Sequence, residues 1–103
     1  MVPNLNKVAI ITGANSMIGK ALVEKFSNEN WKIHATIRSK SNKNLIQGEN
    51  IIYHEMNLEN QKSINKTIAK ILKLESKIDL LIVSTNLFNI ESWVLVKLER
   101  LLN

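Results

Sequence analysis

The sequence predicts a single α/β domain over residues 1–103, a doubly wound parallel sheet of about four strands, with helices on both faces. Three observations lead there. Short apolar runs alternate with longer stretches of helical periodicity, in the order β-α-β-(α)-β-α-β-α. The connections are short, which for parallel strands implies right-handed crossovers. A chain of 103 residues suffices for one thin core, below the roughly 150–200 residues at which chains usually divide.

The elements follow in order. Residues 7–12 form an apolar run that ends at Gly13, the pattern of a strand buried on both faces. From Ser16 to about Asn28, Ile18, Ala21, Leu22 and Phe26 recur at helical spacing, with Asn15 or Ser16 available as N-cap. Residues 31–37 alternate and read as a second strand. Residues 39–50 are polar, with Gly48 near their end, and suggest a loop holding at most a short helix. A third strand covers residues 51–56. Residues 59–75 place Ile64, Ile68, Ile71 and Leu72 on one stripe, the clearest amphipathic helix in the chain. Residues 78–83 make the fourth and most apolar strand. A last helical stretch, about 90–102, carries Val94, Leu98, Leu101 and Leu102 on one face.

Composition removes several kinds of chemistry. No cysteine is present, so disulfides, thiolate metal sites and a cysteine nucleophile are excluded. Two histidines, His34 and His54, have no carboxylate at a spacing that suggests catalysis or zinc, and both read as strand residues. Asp79 is the lone aspartate, so no acidic cluster for magnesium exists and a receiver-type signalling role is disfavoured. No apolar run approaches the roughly 20 residues of a membrane span. The opening MVPNLNK lacks the features of a signal peptide, and the expectation is a cytoplasmic domain without membrane contact. The net charge is +5, but lysines supply it almost entirely and look scattered along the chain. With only Arg38 and Arg100 beside the lysines and no interleaved aromatics, specific nucleic-acid binding is disfavoured. The positive field suits an anionic small ligand.

The segment from Thr12 to Gly19 joins the first strand to the first helix, where an anion would meet a helix N-terminus. Gly13 permits a tight turn, and Gly19 lets the helix pack close. A P-loop does not fit, because five residues separate the glycines where four are needed, and Ala21 stands in place of the magnesium-binding hydroxyl. GxGxxG does not fit either, since Asn15 occupies its second glycine. A ligand-free turn is the competing reading of the same residues.

These residues resemble the short-chain dehydrogenase/reductase family, whose cofactor loop is TGxxxGxG. Thr12, Gly13 and Gly19 match it, with Met17 in place of the middle glycine. The resemblance implies a Rossmann-like fold and a nicotinamide cofactor packed against Gly13, Asn15, Ser16, Met17 and Ile18. Met17 brings a side chain where backbone normally approaches the phosphates, which weakens the expected binding. The second strand ends in Arg38-Ser39, with no carboxylate for a ribose 2′-hydroxyl. An arginine there can pair with a 2′-phosphate, so the resemblance favours NADP over NAD. Asn57-Leu58 stands where the family has Asp-Val or Asp-Leu against the adenine, and the asparagine oxygen can still accept from its amino group. Residues 83–86 replace all four of the family's NNAG, so only the backbone near Thr85 is expected to border the cofactor.

The resemblance stops before the catalytic half of the family fold. The Tyr-x-x-x-Lys pair has no match, because Tyr53 is the single tyrosine and is followed four residues later by Asn57. No residue is expected to be catalytic, and the chain alone is expected to bind the dinucleotide without turnover. Two other readings stay open: a noncatalytic dinucleotide-binding sensor, and a structural or interaction domain with a vestigial loop. In a sheet of order 3-2-1-4 the fourth strand would be an edge. The last helix could cover it, or a homodimer or partner chain could pair there, a reading that Trp93, Leu95 and Val96 favour.

Overall fold

A computed structural model describes residues 7–39 and 44–84 of the chain. Its elements are β1 (Val8–Thr12), α1 (Met17–Asn28), β2 (Lys32–Ile37), β3 (Ile51–Glu55), α2 (Gln61–Leu74) and β4 (Leu80–Val83). The four strands form one parallel sheet in the order β3-β2-β1-β4. The expected doubly wound α/β architecture is therefore present. The last predicted helix, with Trp93, Leu95 and Val96, lies outside the described residues.

Every residue of β1 is buried, as its unbroken apolar run requires of a central strand. Alternation along the strands divides the core in two. Ala9, Ile11, Ile33, Ala35 and Ile37 meet Val23 of α1, while Ile10 and Met56 meet Ile64, Ile68 and Ile71 of α2. The helices thus cover opposite faces. None of them is long and apolar enough to cross a membrane among the described residues.

Caps set where the helices start. Ser16 Oγ accepts from Gly19 N at 3.0 Å for α1, and Asn60 Oδ1 accepts from Ser63 N at 3.1 Å for α2. The rotation of α1 differs from the sequence reading. Ile18 is 67% exposed and Ala21 is exposed, because Gly19 and Val23 face the sheet instead. At 100° per residue, Ile18 lies a quarter-turn from Gly19 and is carried outward. Leu72 likewise leaves the expected stripe on α2, and Thr67 takes the fourth buried position.

The two histidines are joined to a carboxylate that sequence spacing did not reveal. His34 Nδ1 lies 2.9 Å from His54 Nε2, with the rings stacked, and His34 Nε2 lies 2.6 Å from Glu75 Oε2. Lys32 Nζ reaches the same carboxylate oxygen at 2.8 Å. Burial opposes ionisation of Glu75, but the hydrogen bonds from Lys32 and His34 outweigh it and hold the carboxyl below its usual range. This network ties β2 and β3 to the C-terminal end of α2. At the other side of the sheet, Asp79 Oδ2 accepts from Val8 N at 2.7 Å, which anchors the entry to β4.

Candidate functional site

The loop after β1 is held in place from both sides. Ala14 N donates to Thr36 O of β2 at 3.0 Å, and Ser84 N donates to Thr12 Oγ1 at 3.3 Å. Ser16 closes the turn: its amide and its hydroxyl both donate to the Gly13 carbonyl, at 3.0 and 2.7 Å. Gly13 adopts φ +63°, a left-handed conformation that side chains disfavour. Gly19 packs so close that a Cβ there would overlap the Gly13 carbonyl oxygen. Both glycines are needed by the backbone geometry itself.

This loop forms one wall of a cleft of about 370 Å³ at the carboxyl ends of the strands. Gly13, Asn15 and Ser16 line it from the β1–α1 turn, and Thr36, Ile37 and Arg38 from the end of β2. Met56, Asn57, Leu58 and Glu59 close it from the segment between β3 and α2, with Ser84 following β4. Open parallel sheets present their ligand crevices at this end. The first-turn amides of α1 have no intrahelical acceptors, and Ser16 Oγ takes the one belonging to Gly19. The remaining amides, of Met17 and Ile18, give the helix start a positive character beside Asn15 and Ser16 of the cleft wall.

The expected cofactor contacts fall into three groups. Gly13, Asn15, Ser16, Arg38, Asn57 and Leu58 line the cleft together. Met17 and Ile18 do not, and they point outward at 88% and 67% exposure. Thr85 lies outside the described residues. Asn57 Oδ1 accepts from Glu59 N at 2.9 Å, so its side chain also shapes the turn into α2. Arg38 is exposed at the rim and makes no hydrogen bond or ion pair among the described residues. Glu59 was not anticipated, since it follows the third strand by four residues and carries no motif. Ser84 could have been found, because the position after an apolar inner strand reaches this end of the sheet.

Comparison with known proteins gives these observations a context. The family of short chain dehydrogenases matches residues 7–96. A short chain dehydrogenase from Bacillus anthracis is 29% identical, with a TM-score of 0.68 over 79% of this chain and 35% of that one. Ligand-free aldohexose dehydrogenase from Thermoplasma acidophilum is 25% identical, with a TM-score of 0.67 over 79% of this chain and 30% of that one. A short chain dehydrogenase from Leptospira borgpetersenii, solved with bound NAD+, shares the fold at 18% identity and a TM-score of 0.71, over 82% of this chain and 33% of that one. The chain thus spans about a third of the length of these structures. No curated protein matches it.

Proposed function

Because the chain belongs to the short-chain dehydrogenase family, we propose that its cleft binds the adenosine end of NADP. The observation that carries this reading is Arg38, a guanidinium at the cleft rim with no partner among the described residues, on a strand end that offers no carboxylate. A carboxylate there would accept from a 2′-hydroxyl and repel a 2′-phosphate, whereas a guanidinium pairs with the phosphate in a fork. Glu59, the carboxylate in the lining, comes from the approach to α2 instead.

The remaining residues fit the same ligand. The free amides at the start of α1 suit the pyrophosphate, and Asn57 and Leu58 suit the adenine. The cavity lies near the lower end of ligand pockets, which span about 300–1,000 Å³, and suits half a dinucleotide better than a whole one.

When bound, the nicotinamide exchanges a hydride with a carbonyl or alcohol. The residues of this chain hold the other end of the cofactor. They include no Tyr-x-x-x-Lys pair, so the chain alone binds without turnover. In this reading a partner or further segment completes the reaction.

The test is a titration with NADPH and with NADH, followed by nucleotide fluorescence and melting temperature. A ligand that binds the native state at 100 times its Kd adds about 2.7 kcal/mol. NADPH is expected to raise the melting temperature at lower concentration than NADH. No shift at millimolar nucleotide, or a preference for NADH, would reject the assignment.

A further inference from the structure

The outward face of α2 carries four lysines and no acid. A helix turns 100° and rises 1.5 Å per residue, so Lys62, Lys66, Lys70 and Lys73 fall within about 80° of arc over roughly 16 Å. That arc is opposite the buried Ile64, Thr67, Ile68 and Ile71. All four lysines are exposed, and none of their ammonium groups forms a hydrogen bond or ion pair among the described residues. The segment Gln61–Leu74 contains neither aspartate nor glutamate. Just beyond it the carboxylates are engaged, Glu75 by Lys32 and His34 and Asp79 by Lys77 and Val8 N.

Only Lys73, in the last turn, complements the helix dipole; the rest of the arrangement works against the helix. Like charges four residues apart, as in Lys62/Lys66 and Lys66/Lys70, oppose one another. Lys62 also stands in the first turn, against the positive end of the helix dipole. An external anionic surface would relieve both effects. Leu74 is 54% exposed and lies about 40° from Lys70 around the helix, which adds an apolar contact at the end of the ridge.

We propose that α2 docks the protein onto an anionic lipid surface through Lys62, Lys66, Lys70 and Lys73, with Leu74 at the margin. Among the described residues α2 alone covers its face of the sheet, so the ridge projects outward and a flat surface can meet all four ammonium groups at once. Lysine stems extend along the interface while their charges reach the headgroups, and an exposed leucine enters its apolar margin. Basic clusters of this size on a helix suit acidic lipids. A nucleic-acid partner fits less well, because the ridge has no arginine for bidentate phosphate contacts and no aromatic for stacking. None of the four lysines lines the cleft, so this surface is separate from the cofactor reading.

The experiment is co-sedimentation of the chain with vesicles of phosphatidylcholine alone and of phosphatidylcholine with phosphatidylserine. Binding is expected only to the anionic vesicles and weakens as salt rises. The pair Lys66→Gln/Lys70→Gln is expected to reduce it about 10–30-fold. Lys20→Gln/Lys25→Gln removes the same net charge from α1 and leaves binding nearly unchanged. Lys62→Gln/Lys73→Gln provides a second ridge variant if the first melts early. Equal losses from the α1 and ridge pairs, or equal binding to neutral vesicles, overturn the proposal. So does tighter binding of a poly(U) RNA that displaces the vesicles, which would make the ridge a nucleic-acid surface.

Discussion

Gly19→Ala is expected to destabilise the protein, although alanine is the better helix former. Propensity alone favours the substitution by about 0.5–1 kcal/mol. The new Cβ would overlap the Gly13 carbonyl oxygen and lie 2.8 Å from the Gly13 carbonyl carbon and 2.9 Å from Ala14 Cα. These are backbone atoms of a loop tied to Thr36 O and to Ser16, so no side chain can rotate aside. Overpacking of this kind costs about 1–3 kcal/mol and wins against propensity. For a chain of this size a net loss of 1 kcal/mol lowers Tm by roughly 4–8 °C. The displaced loop should also lose its nucleotide site. Gly48→Ala is the contrast, because its Cβ would meet the side-chain ends of Ile51, Asn50 and Ser27 at 3.1–3.3 Å. A melt in which Gly19→Ala equals or exceeds the original protein would show that the loop yields, and that its close packing is not a constraint.

Arg38→Glu should separate the two cofactors. The guanidinium supplies a charge-assisted hydrogen bond to a 2′-phosphate, of the class worth about 1.5–3 kcal/mol. Its removal therefore predicts a loss of roughly 10–150-fold in NADPH affinity. The introduced carboxylate adds repulsion and can accept from a ribose 2′-hydroxyl. NADH affinity should then hold or improve, so the preference inverts. Arg38 is exposed, so the effect is greatest at low salt. Equal loss of both nucleotides would place Arg38 in general electrostatic attraction and remove the basis for choosing NADP.

Much of the fold was legible because its strands and helices have different hydrophobic periods. The unbroken apolar run of β1 announced a central strand, and the glycines at 13 and 19 announced the turn that lines the cleft. What was hidden depends on contacts between distant segments. Ile18 has helical spacing, yet only the approach of Gly19 to the loop decides which way α1 rotates. His34 and Glu75 are 41 residues apart, and no local pattern joins them. The lysines that looked scattered in the sequence become a ridge once α2 is read as a helix with a known buried side. Met17, expected beside the phosphates, is 88% exposed and lies outside the cleft lining.

The central claim is that the cleft between the β1–α1 loop and the ends of β2 and β3 holds a dinucleotide. Amide spectra of the isotope-labelled chain, recorded as NADPH is added, test it residue by residue. The account predicts saturable shifts at Gly13, Asn15, Ser16, Arg38 and Asn57, with little change along the exposed face of α2. Shifts confined to the lysine ridge, or none at millimolar NADPH, would contradict it.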